Sequence, residues 1–168
     1  YGRMKVVYET RTCGRCGGSG KYSWNPSDGD RCFGCLGKGT RLTARGRRAH
    51  AAIEAQLTVT TADLKVGQRI RTTGITIGGQ PFRYNTRITA LPGPTGSTCR
   101  YKNGDGPWVE KEYHTVEYLE LGRKSTVKDH TFLESKWRIL PNRDELVAAV
   151  AAVGKLKGMT VEDDEERS

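Results

Sequence analysis

The sequence predicts a mainly β chain with two helices: a small zinc-knuckle β-hairpin module, a small antiparallel β-barrel, and a C-terminal helix. Three observations lead there. The pattern C-x-x-C-x-G-x-G occurs twice between residues 13 and 39. Short β-rich runs, separated by Gly, Pro, Asn and Asp turns, recur from 58 to 141. Two stretches, 42–57 and 142–158, carry apolar residues at helical spacing behind capping residues. The expected divisions are 1–41 for the zinc module, 42–57 for a basic helix or linker, 58–141 for the barrel-like domain, 142–158 for the helix and 159–168 for an acidic disordered tail.

Met4-Lys5-Val6-Val7-Tyr8 reads as a short strand leading into the first motif copy, Cys13-Gly14-Arg15-Cys16-Gly17-Gly18-Ser19-Gly20. The second copy is Cys32-Phe33-Gly34-Cys35-Leu36-Gly37-Lys38-Gly39, and 15 residues separate Cys16 from Cys32. C-x2-C-x15-C-x2-C falls within the four-cysteine zinc pattern. Two intervening residues let one tight turn bring both thiolates to one ion, and two such knuckles close a tetrahedral shell. Cys13, Cys16, Cys32 and Cys35 are therefore the candidate ligands of one Zn2+ per chain. A closed shell leaves no open position for catalysis. The glycines suit the sharp fold-back behind each second cysteine. Two disulfides are an alternative suited to a secreted protein, but no signal peptide is visible. A redox C-x-x-C usually stands alone beside a βαβ pattern. Another metal is the remaining alternative.

The two knuckles resemble the cysteine-rich zinc domain of DnaJ-type co-chaperones, over residues 11–41. In that family four repeats bind two zinc ions, so two repeats imply one ion and a knuckled β-hairpin fold. The family's J domain carries H-P-D, which this sequence lacks, and neither a Gly/Phe-rich linker nor client-binding domains follow. Isolated knuckles of this kind also occur in small proteins of varied function, many of phage origin.

Between the knuckles, Asn25-Pro26-Ser27-Asp28-Gly29 is a turn. Tyr22 and Trp24 flank it, either capping the small core or stacking on bases. Phe33, inside the second knuckle, is expected to be structural. Thr43 is a plausible N-cap for a helix through Leu57. Arg41, Arg45, Arg47 and Arg48 crowd its start, where they oppose the helix dipole unless they meet an anion. A nucleic-acid phosphate backbone is the simplest such anion, and a linker between modules is the bland alternative. His50 reads as a surface residue.

Thr61-Ala62-Asp63-Leu64-Lys65-Val66-Gly67-Gln68-Arg69-Ile70 resembles the first turn of SH3-like barrels, with the Asp-Leu pair as a plug. Phe82, Tyr84, Ile88, Val116, Tyr118, Leu119, Leu121, Trp137 and Ile139 are the expected core, and Cys99 a small packed residue. Residues 91–107 read as a turn-rich excursion, and Lys102-Asn103-Gly104-Asp105-Gly106 as a hairpin turn. Asn142 and Glu145 form a capping box for a helix ending at Gly158.

Net charge is +9 over 168 residues, and its distribution says more than its total. Residues 1–50 hold eleven Lys/Arg against three Asp/Glu, while the last eight residues hold five acids and one Arg. A positive field concentrated at a zinc module is the footprint of a nucleic-acid binder. Arg15, Lys21, Lys38, Arg41, Arg45, Arg47 and Arg48 are the candidate phosphate contacts, and Tyr22 and Trp24 the candidate stacking residues. The expected partner is DNA or RNA. A protein partner, for an adaptor of a larger host or viral complex, is the alternative, and a DnaJ-like chaperone accessory a third. No P-loop, H-E-x-x-H or G-x-S-x-G motif is present, so no enzyme is expected. No apolar run approaches the roughly 20 residues that cross a bilayer. A bacterial or phage-infected host cytoplasm is the expected location. The chain opens on Tyr1, which suggests a trimmed start.

Overall fold

The computed structural model describes residues 4–163 apart from 28, 76, 77, 80, 103 and 121–125, with residues 74, 75, 81 and 82 described in their backbone alone. The chain is mainly antiparallel β with two helices and divides into two compact units. The first joins Tyr1–Ala55 with Leu146–Ser168, and the second is Gln56–Glu145.

Three two-stranded sheets build the first unit. β1 (Met4–Tyr8) pairs with the last strand, β2 (Thr10–Thr12) with β5 (Thr40–Leu42), and β3 (Lys21–Asn25) with β4 (Gly29–Arg31). The β2–β5 pair brackets both knuckles, so their outer ends are tied together by backbone hydrogen bonds. α1 (Ala44–Gln56) follows immediately. Thr43 caps it as expected: its Oγ1 accepts from Gly46 N–H at 3.0 Å. Gly46 is required there, because a Cβ would lie 2.2 Å from the Glu9 carbonyl oxygen. Ala49 and Ile53 are buried along the same helix.

The second unit is one six-stranded sheet. β6 (Thr58–Thr60), β7 (Arg69–Ile75), β8 (Pro81–Lys102), β9 (Trp108–Glu120), β10 (Thr126–Thr131) and β11 (Lys136–Ile139) lie in the order β10-β9-β8-β7-β11-β6. β10 and β6 are its edges, and no pairing between them closes a barrel among the described residues. Strand alternation puts Ile70, Ile88, Val116 and Ile139 on the core side, all buried. A 3₁₀ turn at Thr61–Asp63 precedes Leu64, which is buried while Asp63 stays exposed. Trp137 donates its indole N–H to Thr61 Oγ1 at 2.8 Å. Tyr84, expected in the core, is 43% exposed instead. Leu119 and Trp137 are half-buried, while Leu121 and the Phe82 side chain lie outside the described residues.

Two expectations fail for identifiable reasons. Residues 91–102, read as a loop, belong to β8. The β7 ladder ends at Arg87, and Ile88 still bonds Gln68 and Gly67; farther on, no described strand pairs with that edge of β8, and Pro92 and Pro94, which cannot donate, are tolerated there. Register shifts between Ile88 and Thr98 absorb the remaining irregularity. Met159–Asp163, expected in a disordered tail, form β12 against β1, with Lys5 opposite Glu162. α2 (Arg143–Val153) is shorter than expected. Its capping box is present, with Glu145 N–H to Asn142 Oδ1 at 2.8 Å and Asn142 N–H to Glu145 Oε2 at 2.9 Å. Gly154, at φ +74°, ends it before Gly158. No helix among the described residues is long and apolar enough to cross a membrane.

Candidate metal centre

The two knuckles meet as near-copies of each other. Cys13 N–H donates to the Gly39 carbonyl and Cys32 N–H to the Gly20 carbonyl, both at 2.8 Å. Ser19 N–H to Cys16 O and Lys38 N–H to Cys35 O repeat at 3.2 Å. So each knuckle's first cysteine is anchored by the other knuckle's last glycine. The glycines permit this approach. Gly20 and Gly39 have φ of +72° and +75°, and a Cβ on either would sit 2.4 or 2.3 Å from the carbonyl oxygen of Gly37 or Gly18.

This interlock brings the four sulfurs together. The Sγ atoms of Cys13, Cys16, Cys32 and Cys35 all lie within 4.8 Å of one another, and Cys16 and Cys35 are 3.7 Å apart. A tetrahedral zinc–sulfur shell with bonds of about 2.3 Å has sulfurs about 3.8 Å apart. None of the four is in a disulfide. Their protonation is already biased. The Cys13 thiol is lowered, chiefly by the backbone N–H of Cys16. Burial pushes Cys16 up, but the N–H groups of Gly18 and Gly20 with the Cys35 and Cys13 side chains outweigh it, leaving it at about 6. Burial raises Cys35. Four thiolates this close repel one another, and a bound dication is what removes the conflict. The donor set is therefore a possible four-cysteine metal site, with all ligand positions supplied by the chain.

A cleft of about 520 Å³ opens beside the centre, running from Cys35 and Leu36 to Tyr8 and His50. Lys38, Arg41 and Arg47 line it, with no carboxylate among the described residues that do. Across the β2–β5 ladder Arg41 stands directly opposite Arg11, a like-charge pair. His50 meets Tyr8 edge-on at 5.0 Å and is no part of the sulfur cluster.

The other sequence candidates divide. Arg48 is exposed on α1. Arg45 is held by Glu9 at 2.8 Å and Lys21 by Asp30 at 3.1 Å, so both begin with a competing carboxylate. Arg15 lies over two rings, 4.4 Å from Tyr22 and 3.7 Å from Phe33. Trp24 is 73% exposed and Phe33 53% exposed, so neither caps a core. Phe33, expected to be structural, keeps its ring half exposed and packs it against Arg15. Leu36, to which the sequence drew no attention, is 60% exposed with φ +54°. It occupies the position that Gly17 fills in the first knuckle; comparing the two repeats residue by residue would have singled it out.

Neither a family model, nor a curated protein, nor a solved structure matches the chain.

Proposed function

We propose that this chain is a zinc-stabilised, non-catalytic nucleic-acid-binding protein whose first unit grips phosphates through its knuckle module and the start of α1. The observation carrying this reading is the cleft beside the sulfurs, where Lys38, Arg41 and Arg47 converge without a carboxylate. Cations held together by the fold cost stability until an anion arrives, and phosphodiesters supply closely spaced anions. Zinc is the metal best suited to four thiolates at knuckle spacing. It acts here as the core that so small a module otherwise lacks. The resemblance to the DnaJ-type cysteine-rich domain supports the metal and the hairpin fold. A thiol-rich zinc centre also suits the reducing cytoplasm. The exposed Tyr22 and Trp24 add surfaces on which bases can stack.

The test is fluorescence anisotropy of a labelled oligonucleotide with the zinc-loaded chain across a salt series. Binding is expected to weaken steeply with salt, and Arg41→Gln with Arg47→Gln to flatten the log–log slope by about 0.9 for each phosphate no longer neutralised. Wild-type affinity and slope in that variant would refute the cleft assignment. A second reading, a protein-interaction adaptor, is favoured by the exposed Trp24, Phe33 and Leu36. It predicts a stoichiometric protein complex from cells that Trp24→Ala and Leu36→Ala disrupt, with no salt-sensitive nucleic-acid binding.

A further inference from the structure

The second unit has a charge pattern of its own. In β7, Arg69, Arg71 and Thr73 alternate with the buried or core-side Ile70 and Thr72, so they lie on the outward face. The register extends that face sideways. Arg69 stands opposite Arg87 on β8, and Arg71 opposite Arg138 on β11. Arg83 and Asn85 lie on the same face of β8, and Lys136 on the same face of β11. The neighbouring positions on β6 are Thr58 and Thr60. Six cations therefore share the outward face of three adjacent strands, and no carboxylate occupies a ladder position there or on the neighbouring β6. The first is Glu117 on β9, which already faces Lys128 at 3.9 Å and accepts from the Thr89 hydroxyl.

Like charges directly opposite one another in a ladder are destabilising, and this face holds two arginine pairs of that kind. Among the described residues, no ion pair engages Arg69, Arg71, Arg83, Arg87 or Lys136. Arg71 Nε is buried without a hydrogen-bond partner among the described residues, and Arg71 lines a cleft of about 350 Å³ with Lys136, Arg138, Tyr118, Trp137 and the carboxylate of Asp129. Neighbouring strands lie about 4.8 Å apart and residues rise about 3.3 Å, so the patch measures about 10 Å across and about 13 Å from Arg83 to Arg87. These ladder positions carry Arg, Lys, Thr and Asn, and the nearest rings, Tyr118 and Trp137, line the adjoining cleft and are buried or half-buried, so neither is presented on the ladder for an unstacked base. A duplex presents its phosphates outward from both strands with its bases already stacked.

We infer that the outward face of the six-stranded sheet, formed by Arg69, Arg71, Arg83, Arg87, Lys136 and Arg138, is a second phosphate-binding surface, and that its ligand is the backbone of duplex nucleic acid. The ligand class rests on the nucleic-acid reading above; the residues are separate from those of the metal module. The pattern predicts backbone contacts and no base selectivity.

The test uses the full zinc-loaded chain, a fluorescein-labelled 20-base-pair DNA duplex of arbitrary sequence, the matching RNA duplex and the single strand. Arg69→Gln with Arg83→Gln and Arg87→Gln is expected to weaken duplex binding and reduce the log–log salt slope by roughly 2.7, about 0.9 for each arginine replaced. The corresponding three lysine substitutions are expected to keep the wild-type slope. If the glutamine triple disturbs the circular dichroism spectrum, the double Arg83→Gln with Arg87→Gln, both exposed, is read instead, with an expected loss of roughly 1.8. Wild-type slope in the folded glutamine variant overturns the inference, as does tighter binding of the single strand than of either duplex. Loss in the sheet variant together with wild-type binding in Arg41→Gln/Arg47→Gln supports the sheet face and refutes the cleft. Absence of salt-sensitive binding by the unsubstituted chain overturns both.

Discussion

Replacing Gly39 with alanine is expected to unseat the metal centre, whereas the same change at Gly17 is expected to be mild. Both glycines have positive φ, +75° and +60°, so both alanines carry a left-handed penalty of about 1–2 kcal/mol. They differ in what surrounds the new methyl. At Gly17 nothing lies within 4 Å, while at Gly39 a Cβ would stand 2.3 Å from the Gly18 carbonyl oxygen. Ordinary contact begins at 3.4 Å, so backbone must move by about 1 Å. That movement pulls on the Cys13 N–H to Gly39 carbonyl bond at 2.8 Å and the Gly39 N–H to Cys35 Sγ bond at 3.2 Å. Losing both costs about 2 kcal/mol. Gly39→Ala is thus expected to destabilise the zinc-loaded module by about 3–4 kcal/mol and Gly17→Ala by about 1–2 kcal/mol. The gain from a stiffer unfolded chain is common to both and cancels. Thermal unfolding of the two variants side by side, with zinc affinity measured by chelator competition, reads the difference. Metal–sulfur distances tolerate only about 0.2 Å, so Gly39→Ala also loses zinc affinity. Equal destabilisation of the two variants would refute the interlocking of the knuckles.

Two further outcomes follow from the site and the second unit. Acid is expected to release the metal, since each ligand must be a thiolate. Protons compete with the metal for all four sulfurs, so retention falls steeply as pH drops. A colorimetric chelator assay should show zinc retained at neutral pH and released on acidification; zinc fully retained in strong acid would contradict this. In the second unit, Thr61→Val keeps the shape but strands the Trp137 indole N–H, now 2.8 Å from a buried Thr61 hydroxyl. The expected loss is about 1–3 kcal/mol in denaturant unfolding, and a loss under about 0.5 kcal/mol would mean that water satisfies the indole.

Much of the metal module was legible because it is local. The spacing of Cys13, Cys16, Cys32 and Cys35 constrains a turn of a few residues, and glycine at 18, 20, 37 and 39 has few other uses. Thr43 and the Asn142–Glu145 box were legible for the same reason: a cap is made with a partner three residues away. What escaped was set by distant partners. β12 exists because Met4–Tyr8 offers it an edge, which nothing near residue 159 announces. The second half of β8, 91–102, looks like a loop because prolines and glycines are normally breakers, but a strand edge without a described partner accepts them. Phe33 read as structural from its place inside the second knuckle; its partner there is the Arg15 guanidinium rather than an apolar interior. The basic sheet face was written in the sequence as Arg69-Ile70-Arg71 and Arg83-Tyr84-Asn85-Thr86-Arg87; only the register of β11 and β8 against β7 shows that these arginines gather on one face.

Everything proposed for the first unit depends on the knuckles closing around one metal ion that holds the phosphate-binding module together. Native mass spectrometry of the intact chain puts that dependence to the test. The expected result is one zinc per chain with the four thiols deprotonated on binding, and loss of that zinc in Cys16→Ser. A metal-free chain carrying two disulfides between these cysteines, or zinc retained after Cys16→Ser, would contradict it.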